Sequence, residues 1–129
     1  MLAKKWRLTK NNDFQRVKKQ GRSRFSQILV VRYCINNLSI SRFAIVISLK
    51  ISKRAVVRNK IKRQLLYVIQ QHLLNFKQGY DIIIFTRPAI VNVNYQQKEQ
   101  ILLKLFHLSK LLPVLDAKLT NSQNEKIRN

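Results

Sequence analysis

The stretch from Arg42 to Arg63 constrains this chain more than any other. It begins by alternating: Phe43, Ile45, Ile47 and Leu49 fall on one side, Arg42, Ala44, Val46, Ser48 and Lys50 on the other. That two-residue period predicts a strand over 42–50, with the bulky set facing a core. The second set is small in its middle and cationic at its ends, a sheet face on which a flexible anionic strand can lie. The period then changes. Val57, Ile61, Leu65, Val68, Ile69 and Leu73 recur near 3.6 residues and predict a long helix over 55–76. A strand that runs straight into such a helix predicts an α+β layer, helices packed on one small sheet.

The helix start carries the strongest chemical signal. Arg58, Lys60, Lys62 and Arg63 place four positive charges in six residues without an acid, and Asn59 stands among them. Arg54 precedes them. The first turns of a helix are already the positive end of its dipole, so cations there are unfavourable unless an anion sits against them. Arg58 and Lys62, like Asn59 and Arg63, are i,i+4 neighbours. The placement argues for an anion site, and a phosphate backbone is the commonest polyanion.

The rest of the chain supports one domain over 1–115 followed by a polar tail at 116–129 that is expected to be disordered, with no repeat or linker. Residues 1–8 read as basic and loose. Thr9 is expected to cap a short helix over 10–20, stopped by Gly21. Phe14 and Val17 share a side of it, and Lys18 lies four residues from Phe14. Residues 27–35 read as a buried strand ending at Asn36-Asn37. Gly79 is expected to stop the long helix, and residues 81–87 read as a strand covered on both faces, ended by Pro88. Asn94 is expected to cap a last helix over 95–112, closed by Pro113.

Charge totals narrow the function. Lys and Arg number 26 against 5 Asp and Glu, a net charge of +21. Self-repulsion on that scale implies a polyanionic partner. The windows 4–24 and 50–63 hold 16 of the basic residues and only Asp13 as an acid. Nucleic acid suits this pattern. An anionic membrane suits it less, because the charge is not gathered on one amphipathic helix. Cys34 is the single cysteine, which excludes an internal disulfide framework and fits a reducing cytoplasm. No signal peptide or membrane-length apolar run is visible.

Catalytic residues are harder to find. Asp13, Asp81, Glu99, Asp116 and Glu125 are far apart in sequence and form no ligand motif, and they are not expected to converge. His72 and His107 lie in separate predicted helices without local partners. No Gly-rich phosphate loop or Cys/His metal spacing occurs. The residues therefore predict no catalytic site and no metal site in the protein itself. Trp6, Phe14, Phe25 and Tyr33 can offer stacking surfaces, and Phe14, ringed by basic residues, is the best of them.

Several motifs occur in a characteristic order: Arg7-Leu8, Asp13-Phe14 and Gly21; Arg42-Phe43 and Ser48-Leu49-Lys50; the run from Ala55 to Arg63; and Asp81-Ile82-Ile83-Ile84-Phe85-Thr86-Arg87-Pro88. In this the chain resembles the protein subunit of bacterial ribonuclease P across residues 7–112. The resemblance implies an αβββαβα order with a left-handed βαβ crossover, against the usual right-handed rule. It implies a ribonucleoprotein endonuclease that removes the 5′ leader of precursor tRNA. A catalytic RNA subunit performs the hydrolysis with Mg²⁺, which that RNA mainly holds, and the protein strengthens substrate and Mg²⁺ binding. Arg54, Arg58, Asn59, Lys60, Lys62 and Arg63 are then expected to face the RNA subunit. Phe14, Lys18, Ala44, Val46, Ser48 and Lys50 are expected to form the leader cleft. The partners implied are the ribonuclease P RNA, one protein per RNA, and precursor tRNA, with no membrane and no DNA.

Four positions depart from the family pattern. Lys60 replaces an arginine and loses its bidentate geometry. Leu49 replaces a lysine, with a parity that points inward. Ala44 stands where glycine is common, narrowing the cleft. Lys18 stands where some members carry a second aromatic, leaving stacking to Phe14. Three rivals remain at this level: a structural RNA-binding protein, a DNA-binding regulator using the long helix, and a metal-dependent nuclease in its own right.

Overall fold

A computed structural model describes residues 2–113 of the chain. The predicted tail at 116–129 lies outside them. The elements are α1 (Asn11–Gln20), β1 (Arg22–Phe25), β2 (Leu29–Ile35), β3 (Arg42–Val46), α2 (Ala55–Gln71), β4 (Tyr80–Thr86) and α3 (Tyr95–Leu108). This is the expected αβββαβα order, although β1 had no residue signal of its own. The sheet order is β1-β2-β4-β3. β2 pairs antiparallel with β1 and β4, while β3 pairs parallel with β4 across the α2 connection.

Strand alternation divides the interior in two. Leu29, Val31, Phe43, Ile82 and Ile84 join Ile61, Leu65, Val68 and Ile69 of α2 and Leu102, Leu105 and Phe106 of α3 in the main core. On the other face Ile83 packs with Leu8 and Val17, flanked by Phe14, Cys34, Ala44, Val46 and Phe85. Ile82, Ile83 and Ile84 are all fully buried, as a strand covered on both faces requires.

Several boundaries differ from expectation, each for a local reason. β3 stops at Val46 instead of continuing to Lys50, because its pairing with β4 ends there, at Phe85. The Thr86 hydroxyl donates to the Val46 carbonyl at 3.1 Å, and Pro88 follows without an N–H to extend the ladder. Leu49, expected inward, is 66% exposed in the turn beyond the strand. α2 stops at Gln71, then tightens into a 3-10 turn, Leu73–Asn75. That turn drives Phe76 into the core between Phe43 and Phe106, at ring separations of 4.8 and 4.9 Å. Gly79 therefore ends no helix; at φ +88° it starts β4 from a conformation that suits glycine.

At the first helix Lys10, not Thr9, holds the N-cap position, and no side chain caps it. Gly21 does end α1, for want of room: a Cβ there would lie 2.4 Å from the Val17 carbonyl oxygen. Asn94 forms the expected cap, in a reciprocal box with Gln97. α3 closes at Leu108, and Leu111 and Leu112 fold back so that their N–H groups reach the Phe106 carbonyl. Residues 1–8 are not loose where described. Leu2 and Leu8 are buried, and Arg7 bridges Phe43 in parallel on the free edge of β3. Apolar Leu2, Trp6 and Leu8 anchor the segment despite its charge.

Candidate nucleic-acid interface

The basic start of α2 stands clear of the core. Arg54, Asn59, Lys60, Lys62 and Arg63 are exposed, while Ile61 and Leu65 on the opposite side are buried. Helical periodicity alone produces this separation. No described carboxylate pairs with any of these cations, because the described ion pairs all belong to Asp13 and Asp81. Arg58 differs from its neighbours. It is half-buried, and its guanidinium donates to the Ser52 carbonyl at 2.9 Å, bracing the turn that precedes the helix. The Arg54 N–H donates to the Ser52 hydroxyl at 3.1 Å. Part of the expected RNA-facing set thus shapes the loop that presents the rest.

The expected leader cleft is assembled only in part. Phe14 from α1 meets Ala44 and Val46 of β3 around Leu8, Val17 and Ile83. Phe14 and Ala44 also line a cavity of about 300 Å³ that reaches Arg7, Thr9 and, from α2, Lys62 and Leu66. This joins a cleft residue to a residue of the α2 set, a link that strand parity alone does not reveal. Lys18 is exposed on α1. Ser48 and Lys50 lie beyond the strand, exposed, in a turn where the Ser48 hydroxyl accepts from the Lys50 N–H at 3.3 Å. Their strand parity with Ala44 and Val46 therefore does not hold.

Between α1 and the sheet lies a charged network that sequence reasoning missed. Asp81 is fully buried, and Arg42 grips it through two hydrogen bonds, at 2.9 and 2.8 Å. Arg16 of α1 binds the same carboxylate and also reaches Asp13 at 3.7 Å. Asp13 forms an ion pair with Arg42 at 3.3 Å. Asn36 donates at 2.9 Å to Asp81 Oδ1, the oxygen that also accepts from Arg42 Nε. The hydrogen bond to Asp81 raises the Arg42 guanidinium above its ordinary pKa, against the opposing effect of burial. The expectation that no two carboxylates converge is thus overturned, and both are committed to arginine. The available signal was Asp81 itself, a carboxylate heading an apolar strand that must find a cation. Arg32 is equally committed, donating to the Val17 and Lys18 carbonyls at the end of α1.

The two histidines also come together. His107 is held below its ordinary pKa, first by burial and then by the nearby His72. Among the described residues no group of three or more His, Cys, Asp or Glu side chains could hold a metal ion. No described helix is long and apolar enough to cross a membrane.

Known proteins share this fold. The family model described as Ribonuclease P matches residues 2–110. The ribonuclease P protein component of a Cyanothece species is 38% identical over 128 residues, covering 87% of this chain and 98% of its own. Among solved structures, the Staphylococcus aureus RNase P protein superposes with a TM-score of 0.78 at 31% identity, over 83% of this chain and 97% of that one. The RNase P protein from Thermotoga maritima does so with a TM-score of 0.70 at 28% identity, over 77% and 93%.

Proposed function

The chain belongs to the ribonuclease P protein family, and from that membership we propose how its surfaces serve a tRNA-processing endonuclease. As a protein component of ribonuclease P it associates with the ribonuclease P RNA. The exposed set Arg54, Asn59, Lys60, Lys62 and Arg63 meets phosphates of that RNA, with Arg58 holding the preceding turn in shape. The observation that carries this reading is the absence of any described carboxylate partner on the α2 face. Cations left without protein counter-ions gain most from releasing the ions condensed on RNA.

The 5′ leader of precursor tRNA lies across Phe14, Ala44 and Val46, with Lys18, Ser48 and Lys50 at the margins of its path. A base stacked on Phe14 contributes about 1–3 kcal/mol. Hydrolysis belongs to the RNA subunit, which also holds most of the Mg²⁺. The protein steadies substrate and metal by lowering the repulsion between two RNAs. One protein per RNA, working in the cytoplasm, completes the reading.

The test is precursor-tRNA cleavage at low Mg²⁺, with the protein and a bacterial ribonuclease P RNA together and apart. Cleavage at the mature 5′ end only with both present is the expected result. Cleavage by the protein alone would replace this reading with a self-sufficient nuclease. Failure to stimulate an RNA that is active by itself at high Mg²⁺ would leave a structural RNA-binding protein.

A further inference from the structure

Among the described residues, Lys98 is the one buried cation that the ion-pair network does not explain. It sits in the first turns of α3 and is only 5% exposed. Its ammonium donates to the Gln64 side-chain oxygen of α2 at 2.7 Å. No carboxylate lies within ion-pair reach of it among the described residues. The adjacent acid, Glu99, instead interacts with Tyr95. An ammonium has three N–H donors and is costly to bury unpaired. Burial first, and the nearby Lys60 second, hold its pKa below the ordinary lysine value. Two cations are thus brought together with no described acid between them, and Gln64 gives Lys98 a single neutral acceptor.

Both lysines line one groove. It measures about 490 Å³ and runs between the first turns of α2 and the segment leading into α3. Val56 and Val91, which are 71% and 43% exposed, form part of its walls. No acid lines it. The groove opens beside the cationic set on α2, since Lys60 belongs to both.

We propose that this groove seats a phosphodiester group of the ribonuclease P RNA, with Lys98 and Lys60 as its paired cations and the valines against the adjoining sugar or base. The proposal rests on the reading above that the α2 face meets RNA, and it extends that face onto α3. A phosphate supplies the acceptor oxygens that Lys98 lacks. The groove therefore carries positive charge without a described counter-ion in the free protein and gains one in the complex.

Lys98→Met separates binding from folding, because methionine fills similar space without charge. The substitution removes the desolvation cost of a buried charge and leaves Gln64, which is half-buried, within reach of water. The full-length protein is titrated with its ribonuclease P RNA across a range of salt, and its thermal midpoint is measured alongside. Lys98→Met is expected to weaken binding on the order of tenfold, to lower the log–log salt slope by about one, and to leave the midpoint unchanged or raised. Unchanged affinity and slope would overturn the proposal, whatever the midpoint does.

Arg63→Ala, away from the groove, is measured in parallel. A loss with Arg63→Ala but none with Lys98→Met rejects the groove and keeps the α2 face. No loss with either rejects both. Should Lys98→Met fail to fold, Val56→Glu and Val56→Gln provide the test from an exposed wall. Weaker binding by the glutamate variant supports the proposal, and equal binding by the two overturns it.

Discussion

Arginine and lysine do two different jobs in two regions of this molecule. At the seam between α1 and the sheet, Arg16 and Arg42 are neutralised by Asp13 and Asp81. At the start of α2, Lys60, Lys62 and Arg63 face solvent with no described acid beside them. The first region spends charge on holding the fold together. The second leaves charge for something outside it. A net charge of +21 cannot distinguish them; the presence of a carboxylate partner can.

The sharpest way to break the comparison is Asp81→Ala. Removing one partner of a buried pair leaves the others uncompensated, so a loss of about 3–5 kcal/mol is expected. Urea unfolding measures it, and a loss under 1 kcal/mol would mean that the seam is not a structural unit. Phe14→Leu comes next. It keeps an apolar side chain on the second core but removes the ring, so leader-bearing precursor should bind about 1–3 kcal/mol more weakly. Mature tRNA should be unaffected, and equal losses would deny Phe14 its stacking role.

Arg63→Ala sharpens the other side. Unfolding stability should stay within about 0.5 kcal/mol, as for an ordinary surface change, while the salt slope for RNA falls by about one. A constant slope would remove Arg63 from the phosphate contacts.

The smallest effect concerns His107, which belongs to neither region. Its folded pKa lies below the ordinary value of 6.5, so the unfolded chain takes up the proton first as pH falls. The stability His107 contributes is present above that value and is lost as pH falls towards the folded pKa. His107→Gln should flatten the stability profile below pH 6.5, and an unchanged profile would show that His107 titrates alike in both states.

Much of this was legible in the chain. The stripe of Ile61, Leu65, Val68 and Ile69 set both the buried face of α2 and, by subtraction, its exposed cations. Asn94 announced its own helix cap. What stayed hidden depends on partners distant in sequence. The end of β3 at Val46 is decided by where β4 stops pairing, so period-two counting ran on to Lys50 and placed Leu49 on the wrong side. Arg16 and Arg42 counted as basic surface until the fold brought Asp81 between them. Lys98 looked like any polar residue of a helix, because its burial depends on α2 lying across it. Local patterns record which way a side chain points, and contacts decide what it meets there.

The strand order carries a consequence for how the chain is made. β4 lies between β2 and β3 and is the last of the described strands in sequence. While the chain leaves the ribosome, β2 and β3 have no common partner until residues 80–86 emerge. The main core and the seam both wait for this insertion, since Ile82 and Ile84 belong to one and Asp81 to the other. A nascent chain arrested before Thr86 should therefore hold helical segments without a closed sheet, and the domain should form in one late step.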